Sequence, residues 1–274
     1  MKIDIVMPTW NQADCTIECL ESIKEHTLIP YRLVWVDDGS RRPERDAVMN
    51  HIEKAGIECV MIFHEKNRGF TKSVNDGIRL CESDYLAVIN NDIIVSSGWL
   101  GKLARFLDEN SGIGMISALS SIGKRIDWRG VCSEKGPRLL PSGLENPTKE
   151  DRVKLQYDDS GPENFFSRQE PLYYGVAKNL PPICCLLRRE MLDDIGLYDE
   201  TMKVFGSDND FSDRVRDSER WFKAVAVNCY VVHKRHVSTR HIEGGKAAQR
   251  QLDYVALYNA RIKRKDKEEG NAVV

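Results

Sequence analysis

The chain has 274 residues, enough for one large domain or two small ones around a substantial core. Its 40 lysines and arginines against 42 aspartates and glutamates leave a net charge of −2, so no basic surplus argues for nucleic acid. No apolar run approaches the length of a membrane span, and the first residues, Lys2 to Pro8, run straight into folded-looking sequence, so neither a spanning segment nor a secretory leader is expected.

Residues 3–7 read as a first strand, broken by Pro8-Thr9-Trp10-Asn11. A helix with Ile17, Cys19, Leu20 and Ile23 on its inner side follows, then a strand over 31–36 that ends in Asp37-Asp38-Gly39-Ser40. Pro43 suits the first turn of a helix running to Ala55. A third strand covers 58–63. His64 to Phe70, containing Asn67-Arg68-Gly69, then opens a helix with Val74, Ile78 and Leu80 inward.

The short apolar run Tyr85–Ile89 has the bulk of a buried strand and ends abruptly in Asn90-Asn91-Asp92. Trp99, Leu100, Leu103, Phe106 and Leu107 give a helical period, and 112–116 a fifth strand. Strand and helix alternate at the length of a βαβ unit, which predicts an α/β fold with a doubly wound, mainly parallel sheet.

From Ser120 to Leu180 glycine, proline and charge accumulate and periodicity is lost, as in a lid or binding loop or a disordered stretch. Order resumes with a strand over 182–187 and a short helix to Ile195. Asp208 begins another helix with acidic residues at its positive end, and a strand over 222–232 leads to His233-Lys234-Arg235-His236. The chain is helical again from Lys246 to Lys267. Eight cysteines without a Cys-x-x-Cys pair, most of them in apolar runs, read as buried reduced thiols of a cytoplasmic protein.

Carboxylates, amides and hydroxyls thus gather at one edge of the sheet, where open α/β sheets bind ligands. A base can stack on an apolar wall there, an aspartate can accept from a ring N–H, and Arg68 or Lys72 can face phosphate. Asp92 among amides suits Mg²⁺ or Mn²⁺ held jointly with phosphate oxygens. Each of these short polar stretches alone is also an ordinary turn signal.

Taken together, the motifs resemble those of the family 2 inverting glycosyltransferases of the GT-A fold, close to the bacterial rhamnosyltransferase-like branch. They are Pro8-Thr9-Trp10-Asn11, Val36 to Ser40, Asn67 to Phe70 with Asn75 to Ile78, Asn90 to Ile93 with Gly98-Trp99-Leu100, Leu187 to Glu190, Gly196 to Glu200, Ser207 to Phe211 and His233 to Ser238. The segment 120–180 matches none of them.

The resemblance implies one GT-A domain over 1–245, with a nucleotide-binding half (1–118) and an acceptor and catalytic half (119–245), then a C-terminal helix and tail (246–274). Pro8, Thr9, Trp10, Asn11, Asp37, Asp38, Asn67, Arg68, Gly69, Lys72 and Asn91 would line the nucleotide site, with Asp37 and Asp38 on the uracil or thymine and the ribose. Asp92 would hold the Mn²⁺ or Mg²⁺, with His233, or else His236, as the second protein ligand. Asp208 would be the catalytic base, with Asp210 as its rival. A helix start should keep Asp208 ionised at some cost in basicity.

The implied partners are a UDP- or dTDP-linked sugar donor and a carbohydrate or glycolipid acceptor in cell-surface polysaccharide or glycoconjugate synthesis. The implied location is the cytoplasm, with peripheral association at the inner face of a membrane left open. Two alternatives stand beside this: a nucleotidyltransferase, although no Gly-rich basic loop follows the first strand, and a degenerate nucleotide-sugar-binding module, suggested by Asn90 and Ser207 where the family often has acids.

Overall fold

The computed structural model describes residues 2–122, 125–126, 173–175, 183–234 and 245–268. Strand β1 (Ile3–Thr9) pairs in parallel with β2 (Tyr31–Asp37) on one side and β4 (Tyr85–Ile89) on the other; β3 (Cys59–Phe63) extends the parallel ladder beyond β2. The crossovers are α1 (Ala13–His26), α2 (Arg42–Ala55) and α3 (Phe70–Arg79).

After β4 come β5 (Ile93–Val95), α4 (Trp99–Glu109), β6 (Ile113–Ile122), β7 (Arg125–Ile126), β8 (Tyr173–Gly175), β9 (Cys184–Arg188), α5 (Arg189–Ile195), α6 (Ser207–Asp217), β10 (Phe222–His233) and α7 (Lys246–Glu268). The sheet order is β3-β2-β1-β4-β9-β6-β10-β5, with β7 on β6 and β8 on β10. Strand β9 enters antiparallel between β4 and β6, while β6 and β10 are parallel.

Alternation along the strands splits the interior into two cores. Ile5, Leu33, Trp35 and Ile89 face α1, α2 and α4; Val6, Val34, Val88 and Leu187 face α3, α5 and α6. The sheet is therefore covered on both faces, which explains why its central strands read as unbroken apolar runs.

Strand β1 continues through Pro8 to Thr9 instead of breaking there. Pro8 pairs in register with Val36 of β2, whereas β4 pairs only with Asp4 to Val6, so toward β4 the ladder has ended before the missing N–H matters. Leu80 lies just past the end of α3 and is exposed, contrary to its expected inward position. Strand β6 runs six residues beyond the expected end at Ile116. Short β7 and β8 lie inside the stretch read as aperiodic.

Residues of three family-like motifs hold the scaffold together. At Gly77 a Cβ would sit 2.5 Å from Val6 Cγ1, so the glycine lets α3 press onto β1. Asn75 receives the Tyr198 N–H on its Oδ1 (3.1 Å) and donates from Nδ2 to the Tyr198 carbonyl (2.8 Å), latching the 198–200 loop onto α3. Arg188 and Arg189 donate to carbonyls of Leu107, Ile113, Cys81 and Ser83, joining β9 and α5 to the ends of neighbouring elements.

The seven cysteines among the described residues are unpaired, and burial pushes the thiols of Cys81, Cys185 and Cys229 up to about 12, as expected of inert core groups. No helix among the described residues is long and apolar enough to cross a membrane.

At the edge of the sheet remote from the crevice, buried Asp4 takes Arg32 Nε (2.7 Å) and the N–H groups of Glu82 (2.7 Å) and Ser83 (3.0 Å). Burial works to raise its pKa, but these partners outweigh it and the net shift is downward. A depressed carboxyl stabilises the fold above its unfolded pKa, and that contribution is lost as pH falls through the folded pKa. Asp4→Asn is therefore expected to cost about 1–3 kcal/mol at pH 7. In urea melts the gap from wild type should close on acidification. A gap that stays constant down to pH 3 would remove the charge from the explanation.

Candidate active site

The strand order reverses at β1: its chain neighbours β2 and β3 lie on one side and β4 on the other. That reversal opens a crevice outside the carboxyl ends of β1 and β4, where the loops beginning at Trp10 and Asn90 emerge.

Three polar turns meet at this edge. The Asp38 N–H donates to the Thr9 carbonyl (2.8 Å), the Asn11 N–H to Ser40 Oγ (2.7 Å), and the Arg41 N–H to Asn11 Oδ1 (2.9 Å), lacing the β1 and β2 turns together. Asn11 and Gln12 both hold positive φ, 55° and 60°, a conformation most side chains avoid. Thr9 is buried and its hydroxyl accepts from Trp35 Nε1 (2.8 Å), while Trp10 is half-buried at the crevice edge.

Asp37 and Asp38 play different parts. Asp37 accepts the Ser40 N–H (3.1 Å), and burial raises its pKa above the ordinary carboxylate range. Asp38 accepts from the N–H groups of Arg68 (2.8 Å) and Gly69 (2.9 Å) and contacts His64 Nδ1 (2.7 Å), whose other ring nitrogen meets Asp76 (3.1 Å). Both oxygens of Asp38 thus shape the 64–69 turn. Gly69 has φ 96°, and a Cβ there would come within 2.8 Å of the Lys203 carbonyl, so the turn can lie directly on the 203 loop.

Of the other expected nucleotide contacts, Asn67 is exposed, and Arg68 is half-exposed with its guanidinium 3.6 Å from Asp76. Lys72 departs from the expectation that it faces phosphate. Its ammonium is held by Asp76 (2.7 Å) and Glu200 (3.3 Å), because a helix places Asp76 one turn away and the 198–200 latch brings Glu200 alongside. Asn91 likewise turns inward, donating to Thr16 Oγ1 (3.0 Å) of α1.

Asp92 and His233, far apart in sequence, meet through β5. Ile93 lies in register with His233, and the Lys234 N–H donates to the Asp92 carbonyl (2.9 Å). His233 Nε2 consequently stands 3.3 Å from Asp92 Oδ1, with both side chains mostly buried. A carboxylate oxygen and an imidazole nitrogen this close can reach one divalent cation, so the donor set fits the expected metal. Asn90, where the family often has an acid, buries its amide oxygen without a partner among the described residues. No group of three or more His, Cys, Asp or Glu that could hold a metal occurs among the described residues, so phosphate oxygens and water would complete any coordination. His236 lies outside the described residues, as does most of the 120–180 segment.

Asp208 and Asp210 sit in the first turn of α6, behind Gly206. Asp210 is buried between Arg214 Nε (2.9 Å) and Arg264 of α7. Among the described residues no arginine forms an ion pair with Asp208. Burial pushes its pKa up against backbone hydrogen bonds at Asn209, Asp208 and Gly206 that pull it down. The expected loss of basicity at a helix start is thus reversed by desolvation, in the direction that suits a general base.

Asp210→Asn is expected to destabilise the fold by about 1–3 kcal/mol through its two arginines. In thermal melts the midpoint should drop, while kcat of the folded enzyme stays within a few-fold.

Two anchoring residues, Asp253 and Thr16, were not anticipated from sequence. Asp253 had a signal: it is the lone acid between Lys246 and Lys265.

The family description "Glycosyl transferase family 2" matches residues 4–196. The poly(ribitol-phosphate) beta-glucosyltransferase of Bacillus spizizenii is 29% identical over 140 residues, which is 50% of this chain and 22% of that protein. The chondroitin synthase of Pasteurella multocida is 23% identical over 263 residues, 89% of this chain and 24% of that protein. The chain thus spans about a quarter of the length of these relatives.

Among solved structures, the mannosyltransferase PcManGT from Pyrobaculum calidifontis in complex with GDP-Man and Mn2+ superposes with TM-score 0.59 at 15% identity, covering 86% of this chain and 57% of that one. GalNAc-T7 with UDP, GalNAc and Mn2+ superposes with TM-score 0.64 at 14% identity, covering 85% and 44%. These likenesses establish the fold as GT-A.

Proposed function

The chain belongs to glycosyl transferase family 2, and from that premise we propose that it moves a sugar, with inversion, from a nucleotide diphosphate donor to a hydroxyl acceptor. The observation that carries the proposal is the meeting of Asp92 and His233 beside the crevice at the β1/β4 switch point.

In the proposed reaction the donor lies across residues 1–118 and the acceptor approaches from 119–245. Asp37, the last residue of β2, accepts from a ring N–H of uracil or thymine. Trp10 and Asn11 border the base, and Arg68, whose guanidinium reaches solvent, can turn from Asp76 toward phosphate. Asp38 and Gly69 hold the turn that presents Arg68. A divalent cation held by Asp92 and His233 would offset the charge on the departing diphosphate. The nitrogen ligand favours Mn²⁺ over Mg²⁺.

Asp208 takes the proton of the acceptor hydroxyl as its oxygen bonds to the anomeric carbon. The bond from that carbon to the diphosphate oxygen breaks on the opposite face, and its electron pair leaves with the nucleotide. Asp208 fits the role better than Asp210 because Asp210 is neutralised by Arg214 and Arg264, whereas among the described residues no arginine pairs with Asp208.

The motifs also lead us to place the chain near the rhamnosyltransferase-like branch, with a UDP- or dTDP-linked donor. One relative is named for glucosyl transfer involving poly(ribitol-phosphate) and another is named a chondroitin synthase, which supports a carbohydrate or glycolipid acceptor in surface polysaccharide or glycoconjugate synthesis.

The test is a panel of UDP-, dTDP- and GDP-sugars with Mn²⁺, read as release of nucleoside diphosphate with and without simple glycoside acceptors. Acceptor-stimulated release from one donor class is expected. Tight donor binding without release from any donor would favour the non-catalytic binding module, and release of pyrophosphate from a sugar phosphate and a nucleoside triphosphate would favour the nucleotidyltransferase.

A further inference from the structure

Helix α7 lies beyond the matched residues 4–196, yet it reaches the loop in front of the proposed base. Asp253 is buried, and its two carboxylate oxygens accept three successive backbone N–H groups: Lys203 (3.0 Å), Val204 (3.0 Å) and Phe205 (2.8 Å). Gln249, one turn earlier, donates to Asp253 Oδ1 (2.8 Å) and fixes the carboxylate's orientation.

On the opposite side of the same loop, the Lys203 carbonyl accepts the N–H of Thr71 at the start of α3 (3.1 Å), directly after the Asn67-Arg68-Gly69 turn. Gly206 follows in the left-handed region at φ 82°, packed near Leu257 of α7 and Met202, and Asp208 comes two residues later. Farther along α7, Arg264 pairs with Asp210, and Arg261 pairs with Asp213 at 2.7 Å.

We infer that Asp253 is a positioning residue for the transfer reaction: its carboxylate clamps residues 203–205 between α7 and the donor-side turn and thereby sets where Asp208 projects. The inference rests on the proposal that Asp208 is the base. The irregular 203–206 loop, ending in a left-handed glycine, has no ladder of its own, so its N–H groups need an acceptor if the loop is to keep one shape. A buried carboxylate is the strongest acceptor a side chain offers. Without it the loop can still close over α3, but nothing fixes the approach to Asp208, and small misplacements of a reacting group carry large rate penalties.

The experiment compares Asp253→Asn and Asp253→Ala with wild type, alone and in an Asp208→Asn background. The donor is the one found by the nucleotide-sugar panel, and folding is checked by thermal melting. For Asp253→Ala, kcat should fall by about 10- to 100-fold with donor KM within twofold. Asp253→Asn, which keeps the shape and one good acceptor, should fall less and provides the answer if the alanine variant does not fold.

In the Asp208→Asn background the Asp253 changes should add little further loss, because the residue acts through the base. An unchanged kcat in the folded Asp253 variants overturns the inference, and so does a loss of equal size in both backgrounds, which would mark a merely structural effect. If Asp208→Asn itself keeps full rate, the base assignment has failed, whatever Asp253 does.

Discussion

Asp92→Ala is expected to remove turnover by at least about 10²- to 10³-fold, the scale lost when charge stabilisation is taken from a leaving group. His233→Ala should fall in the same direction but less far, since a carboxylate contributes charge and an imidazole does not. The pair is built by backbone: β5 docks on the end of β10, Ile93 opposite His233, and the Lys234 N–H bonds the Asp92 carbonyl. Neither substitution touches those bonds, so the fold should survive both.

A second readout separates metal binding from any other role of Asp92. Titrating UDP by calorimetry with and without Mn²⁺ should show a metal-dependent gain in affinity for wild type that is absent from Asp92→Ala. Full activity of wild type in excess chelator would sink the metal role and with it the assignment of His233.

How far these residues could be read from sequence depended on whether their geometry is local. The strands β1 to β4 were legible because each is a largely apolar run closed by turn residues, and their alternation with helices implied where the crevice lies. Ile93-Ile94-Val95 was not legible as a strand. Three apolar residues have no period of their own, and their partner on β10 is remote in the chain. Strand β9 was found, but not its antiparallel insertion between β4 and β6, which only the tertiary fold decides.

Motifs showed which positions matter without showing which way side chains point. Asn91 and Lys72 read as ligand contacts, yet Asn91 serves α1 through Thr16 and Lys72 is neutralised by Asp76 and Glu200. Asp38 is adjacent to Asp37 and chemically identical, but it holds the 64–69 turn from within. For Asp208 the sequence offered a helix start and hence a lowered basicity. Burial, which only the folded chain creates, reversed the sign.

Asp208→Asn should lower kcat by about 10²- to 10⁴-fold, the contribution of a positioned general base, while leaving donor affinity near its wild-type value by calorimetry. A sugar hydroxyl is far less acidic than a carboxylic acid, so the proton must move late, in concert with attack, and the base contributes to the chemical step more than to binding. The pH profile carries the same assignment. Asp208 must be ionised to act, and burial raises its pKa, so kcat/KM should fall on the acid side at a higher pH than an ordinary aspartate would give. In Asp208→Asn that acid limb should vanish from whatever rate remains.

Stability should move the other way. A carboxyl whose pKa is raised by folding costs stability as pH rises from its unfolded to its folded value, and the cost persists above that window. Removing the charge should leave the melting temperature at neutral pH equal to or above that of wild type, as at sites where function is held against stability. Asp210→Asn should do the reverse, lowering the melting temperature and sparing the rate, because its charge is matched by Arg214 and Arg264. If Asp208→Asn keeps its rate and its acid limb while Asp210→Asn loses both, the base is Asp210, and its arginines must then release it when the acceptor binds.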